Sequence, residues 1–199
     1  MAFNSSGWKF REALKEERPL QIIGVSNAYV AMMAARAGYK ALYLSGAGIA
    51  NYAFGVPDSG ITTLKDVCEE SRRLTAAIDL PVLVDIDTGW GDPGETVRQL
   101  EAVGVAAVQI EDQVEDKRCG HLDGKRLVSV EEMCERIKAA VGAKKDPFFV
   151  VMARTDALAV EGMEATLERV VAYCAAGAEM IFVEAVTELA QYSTIKAAA

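Results

Sequence analysis

Short apolar runs rich in Val, Ile and Leu alternate along the chain with longer segments whose apolar residues return every three or four positions. The short runs predict strands at residues 21–25, 41–44, 82–84, 107–110, 148–152 and 180–183. The longer segments predict helices at 29–37, 64–77, 94–103, 130–141 and 163–176, with another starting at 187. Strand precedes helix throughout, which is the grammar of parallel βα units. A weak internal repeat supports it: the segments beginning at Ala37, Val103 and Ala176 each run from a helix end through a glycine (Gly38, Gly104, Gly177) into an apolar strand. Glycine suits the left-handed residue that closes a helix, and an unbroken apolar run suits a strand covered on both faces. The Met32-Met33 pair, on an apolar helix, is expected in the core.

Polar residues follow every strand: Ser26-Asn27, Ser45-Gly46, Asp85 and Asp87, Glu111-Asp112, Arg154-Thr155-Asp156, and Glu184. Loops are polar in any protein, which explains any one of these. Six in succession, rich in carboxylates, point to the mouth of a (β/α)8 barrel of the TIM type, where strand C-termini gather the active site. The expected fold class is α/β, with residues 1–199 as one barrel domain, since no Pro-rich or Gly/Ser-rich linker divides them. A complete barrel takes about 250 residues. Six units in 199 residues therefore predict an incomplete barrel, lacking its two C-terminal units and leaving its first and last strands as unpaired edges.

Composition narrows the partners. The chain is 51% hydrophobic, and 21 basic against 29 acidic side chains give a net charge of −8. That balance repels nucleic acid and anionic membranes, but a bound cation or a local arginine can still admit a small anionic substrate. Cys68, Cys119, Cys134 and Cys174 form no Cys-x-x-Cys pair, so neither a zinc site nor a redox dithiol is indicated. Reduced thiols, the absence of a signal-peptide pattern at the start and the absence of a membrane-length apolar run lead to a cytoplasmic expectation.

Three segments carry candidate chemistry. In Asp85-Ile86-Asp87-Thr88-Gly89, residues i and i+2 of an extended chain face one side, so both carboxylates could meet a magnesium ion, with Glu111 at the next strand end in support. The plain alternative is a capping aspartate in a solvated turn. In Lys117-Arg118-Cys119-Gly120-His121, two cations and the chain's single histidine would lower a thiol pKa and make Cys119 a usable proton donor. The plain alternative is a basic surface patch with an incidental cysteine. Ser45-Gly46-Ala47-Gly48 could cradle a carboxylate with its amides, or be only a tight βα turn. Arg154 could clamp a carboxylate, or simply bridge to Asp156 or Glu184. Tyr43 reads by default as packing.

Together, Ser45-Gly46, Asp85-x-Asp87, Ile110-Glu111-Asp112-Gln113, Lys117-Arg118-Cys119-Gly120-His121, Met152-Ala153-Arg154-Thr155-Asp156-Ala157 and Glu184-Ala185 resemble the isocitrate lyase and phosphoenolpyruvate mutase superfamily. The cysteine-bearing segment marks its lyase branch. The resemblance implies cleavage of 2-methylisocitrate into pyruvate and succinate, in propionate catabolism through the methylcitrate cycle. Isocitrate, phosphonopyruvate or oxaloacetate cleavage, or an inactive fragment, stand as alternatives. It further implies magnesium on Asp85 and Asp87 with Glu111 supporting, Cys119 as the acid that protonates the departing succinate carbanion, and Tyr43 as a candidate base, with His121 beside the thiol. Ser45, Gly46 and Ala47 would bind the pyruvate-side carboxylate, and Gly120, Arg154 and Glu184 would contact the tricarboxylate. Ala47 stands where relatives often carry glycine. A homo-oligomer, tetrameric in the family, is the implied assembly.

Overall fold

The computed structural model describes residues 4–199. In chain order the elements are α1 (Ser6–Glu16), β1 (Ile22–Val25), α2 (Ala28–Arg36), β2 (Ala41–Leu44), the short α3 (Gly46–Gly48) running into a π-helical turn (Ile49–Phe54), α4 (Leu64–Ala77), β3 (Val82–Asp85), α5 (Pro93–Ala102), β4 (Ala107–Glu111), α6 (Val130–Ala143), β5 (Val150–Thr155), the short α7 (Ala157–Val160), α8 (Met163–Ala175), β6 (Met180–Val183) and α9 (Leu189–Ala198). All six strands pair in parallel in the order β1-β2-β3-β4-β5-β6, curled as an open arc of a barrel. The α/β expectation of six βα units holds.

Strand alternation divides the core. Leu42, Leu44, Val82, Val84, Val108, Ile110, Val151 and Ala153 face outward and pack under Val67, Leu74, Val97, Leu100, Met133 and Ile137 of the helices. Ala41, Leu83, Ala107, Val150 and Met152 face inward, where Phe10 of α1 plugs the lower end of the arc. The register aligns the inward residues into rungs: Asp85 pairs with Gln109, Gln109 with Met152, Glu111 with Arg154 and Arg154 with Phe182. Apolar rungs fill the bottom, and the polar ones end at the top.

Helix ends are set locally. A capping box between Thr63 and Asp66 starts α4, and Ser129 caps α6. Gly38, Gly104 and Gly177 all adopt positive φ at helix ends, as the repeat predicts. Helix α1 was not foreseen: Phe10, Ala13 and Leu14 give it a single apolar turn among charged residues, and its place before the first strand falls outside the strand-then-helix repeat. Met32 and Met33 are 42% and 49% exposed rather than in the core. Helix α2 follows the edge strand β1, so it has a helical neighbour, α4, on one flank, and it buries only Ala31 and Ala34.

Candidate active site

The strand tops converge on a cavity of about 400 Å³, lined among others by Tyr43, Ser45, Ala47, Asp58, Asp85, Gln109, Cys119, Gly120, His121, Arg154 and Glu184. Residues expected from separate segments therefore share one space.

Asp85 is the last residue of β3, and its carboxylate accepts from the amides of Asp87 and Gly46, each at 3.2 Å. Asp87 reaches the same side, but not as part of an extended segment. Its φ is +46°, a left-handed turn that L residues seldom take. Ala185, just after Glu184, is likewise left-handed at φ +61°. The Gly46 amide is thus given to Asp85, and Ser45 Oγ accepts from Gly48 N at 3.3 Å, capping α3. Ser45 and Ala47 line the cavity.

Charge is crowded here. Lys117 Nζ lies 2.8 Å from Asp58 Oδ1 and in closer contact with Asp87 Oδ1. Arg154 reaches Asp156 at 3.1 Å, Glu184 at 3.3 Å and Glu111 at 3.4 Å. The predicted alternative of an Arg154 bridge to Asp156 and Glu184 is therefore present, at the cavity wall. Burial pushes the Asp87 carboxyl up to about 6, with Asp85 adding to it. Burial likewise pushes Glu111, 1% exposed, up to about 8 against the pull of Arg154 and Lys117. Burial alone would lower the Lys117 and Arg154 values, but the surrounding carboxylates hold both well above ordinary. Burial and Asp85 raise the Tyr43 phenol too, and Tyr43 Oη accepts from Gln109 Nε2 at 3.1 Å.

Six carboxylates (Asp58, Asp85, Asp87, Glu111, Asp156, Glu184) stand against three cations (Lys117, Lys125, Arg154) in this cluster. Asp87 Oδ1 and both Glu111 oxygens are buried without a directed hydrogen bond. Hard oxygens met only by ion-pair contacts with Lys117 and Arg154, in a site short of positive charge, fit magnesium. Among the described residues no three His, Cys, Asp or Glu side chains are grouped so as to hold a metal ion by themselves.

The segment around Cys119 differs from its reading in sequence. Lys117 points to Asp58 and Asp87, and Arg118 turns its guanidinium to the Asp123 carbonyl at 3.3 Å. Neither flanking cation is directed at the thiol. His121 sits at the rim, its side chain 86% exposed and Nδ1 3.9 Å from Glu184. Gly120 lies against Arg154 and Glu184 so closely that a Cβ there would come within 2.8 Å of Glu184 Cδ. Only glycine fits.

Asp58, Gln109 and Lys125 were not singled out in the sequence. Asp58 was hidden in the turn-like Val56-Pro57-Asp58-Ser59-Gly60, and Lys125 in a stretch that reads as solvated loop. Gln109 could have been found by parity, being two residues before Glu111 on one strand.

A parallel barrel arc whose strand tops gather carboxylates, an arginine and a cysteine around one cavity is the scaffold of a TIM-type enzyme for small anionic compounds. The chain belongs to the phosphoenolpyruvate phosphomutase family, which it matches over residues 10–199. It is 58% identical to a 2-methylisocitrate lyase of Shewanella oneidensis, over 97% of this chain and 67% of that one. Its fold superposes on an oxaloacetate acetylhydrolase in complex with 3,3-difluorooxalacetate (TM-score 0.92, 36% identity, 98% of this chain and 69% of the other). It also superposes on a phosphonopyruvate hydrolase in complex with oxalate and Mg++ (TM-score 0.81, 29% identity, 96% and 67%). The chain spans about two thirds of the length of the curated relatives it matches. Among the described residues no helix is long and apolar enough to cross a membrane.

Proposed function

We propose that this chain carries the catalytic mouth of a magnesium-dependent lyase that cleaves 2-methylisocitrate into pyruvate and succinate. One observation carries the reading: the Cys119-Gly120 strip is packed onto Arg154 and Glu184 at a cavity that Asp85 also lines. A proton donor, a carboxylate clamp and an oxygen-rich cation site thus face one small volume. The 58% identity to a lyase named for this substrate supports the choice.

Asp85 and Asp87 would hold the ion directly or through water, with Glu111 behind them. When bound, the ion supplies Lewis-acid stabilisation of negative charge on substrate oxygens. The rest is the work of the chain. Ser45, Gly46 and Ala47 seat the pyruvate-side carboxylate, while Arg154 and Gly120 receive the succinate side and Glu184 orients it. The substrate hydroxyl gives its proton to Tyr43, the candidate base, in its phenolate form, and the adjacent carbon–carbon bond breaks with its electron pair passing to the succinate carbon. That carbanion takes the proton of the Cys119 thiol. Gln109 Nε2, which donates to Tyr43 Oη, holds that oxygen in place. The reaction belongs to propionate catabolism in the cytoplasm, in a homo-oligomer of the tetrameric family type.

The test is incubation with magnesium and 2-methylisocitrate, assaying pyruvate, against isocitrate, assaying glyoxylate. Pyruvate is expected; no product from either substrate would end the reading. The likeness to an oxaloacetate acetylhydrolase and a phosphonopyruvate hydrolase favours a second reading, cleavage of oxaloacetate or phosphonopyruvate. Cys119→Ala separates the two, since it should abolish lyase turnover and leave the second chemistry largely intact.

A further inference from the structure

Three buried contacts converge on the backbone around Cys119. Gln113, fully buried, pairs its amide with Arg118 in both directions: Nε2 donates to Arg118 O at 2.9 Å, and Oε1 accepts from Arg118 N at 3.0 Å. The clamp is itself fixed, because Arg136 Nη1 donates to Gln113 O at 2.9 Å and Gln113 bridges to Leu127. From the other side Lys125, with a side chain 3% exposed, donates its ammonium to the Gly120 carbonyl and lies 3.1 Å from Asp156 Oδ1. Asp156 in turn accepts from Arg154 Nε at 3.1 Å and Nη2 at 3.2 Å. One carboxylate therefore joins a loop lysine to the strand-top arginine.

Burying an ammonium costs free energy that a neutral carbonyl and a shared carboxylate offset only in this geometry. A solvated lysine would serve a loop with no fixed position equally well. We propose that Lys125, seated above the Gln113 clamp, is a positioning residue: a latch that pins the Cys119-Gly120 strip to the Arg154–Asp156 pair. Its catalytic consequence rests on the role proposed above for Cys119, whereas the latch is conformational and can be read without substrate.

The experiment is hydrogen exchange on the purified protein, comparing wild type with Lys125→Met, which keeps the stem and removes the ammonium. The reporters are the amides of Arg118 and Leu122, bonded to Gln113 Oε1 and to the Cys119 carbonyl; the control is the Ala106 amide, bonded to Val82 O in the sheet. Loss of a charged hydrogen bond should speed exchange at the two reporters roughly tenfold to a hundredfold and leave the control unchanged. Gln113→Met should speed the Arg118 amide in the same way. If Lys125→Met does not fold, Lys125→Gln, which retains a donor, should shift the reporters in the same direction by less. Unchanged reporters, or a control that speeds equally, would overturn the latch. In turnover of 2-methylisocitrate, Lys125→Met should lower kcat and kcat/KM alike, by roughly tenfold or more, with KM nearly constant. A wild type without lyase turnover whose reporters still respond would sink the lyase reading and leave the latch standing.

Discussion

Asp112 gives the sharpest test of how the two central strand tops are held together. Its carboxylate is fully buried and accepts from Thr155 Oγ1 at 2.6 Å, from Asp156 N at 3.0 Å and from Tyr173 Oη at 2.8 Å, with Arg169 Nη1 at 3.4 Å. It fastens β4 to β5 and both to α8. Asp112→Ala leaves three buried donors without their acceptor, at about 1–3 kcal/mol each, and because neighbouring losses are not additive the sum should be near 4 kcal/mol. Asp112→Asn keeps the shape and one acceptor oxygen; the Thr155 and Tyr173 hydroxyls can turn to accept from its amide, while Arg169 Nη1 loses this acceptor and keeps the Val128 carbonyl at 3.1 Å and Tyr173 Oη at 2.9 Å. It should lose only about 1–2 kcal/mol. Burial also pushes the Asp112 carboxyl up, outweighing its donors. Its folded value thus exceeds its unfolded one, so this group opposes folding as pH rises above the ordinary aspartate range, and the asparagine variant should narrow its deficit there. Urea melts with a shared slope would measure both losses. An alanine variant within about 1 kcal/mol of wild type would refute the claim that this carboxylate holds the strand tops together.

Three further outcomes are expected. Magnesium should raise the melting temperature of the wild type, and Asp87→Asn should remove most of that shift; a shift of the same size in the variant would exclude Asp87 as a ligand. Gly120→Ala should cut lyase turnover roughly a hundredfold or more while moving stability by under about 1 kcal/mol, because the added carbon strikes Arg154 and Glu184 at the mouth rather than in the core. Burial raises Glu179, but ion pairs to Arg11 and Lys144 outweigh it and hold the carboxyl below its usual value. Its stabilisation is therefore present above the unfolded value of about 4.3 and lost as pH falls through the lower folded one. Glu179→Gln should flatten the acid limb of a stability–pH curve, and an unchanged limb would deny the ion pairs their role.

What could be read in the sequence follows from what is periodic. Strands β2 and β6 and helix α4 stand where their patterns predict them, because their apolar spacing and end signals agree. The strand-top residues Asp85, Glu111, Arg154 and Glu184 were legible because each follows an apolar run, and the C-terminal ends of parallel strands converge on one mouth. The loop was legible only in part. Gly120 and Cys119 reach the cavity as expected, yet the charges beside Cys119 in sequence are not beside it in space, since Lys117 is drawn to two carboxylates from other segments. No local pattern encodes that pairing, and the same holds for Lys125 with Asp156 and for Gln113 with the Arg118 backbone.

Side-chain parity explains why chemistry and stability separate along each strand. On the inner face, Ala41, Ala107 and Val150 lie low against Phe10, Tyr43, Leu83 and Met152 lie higher, and Asp85, Glu111 and Arg154 end the strands. Small side chains leave room for the α1 plug at the bottom, and ionised ones can exist only where the cavity admits water, substrate or an ion. Moving a carboxylate one rung down, as in Leu83→Asp, would bury it in the apolar cluster around Phe10, while moving an apolar residue up would empty the site. The excess of carboxylates over cations at the top is thus tolerated by position: the sheet below needs none of them, and their unmet negative charge is what a divalent ion would use.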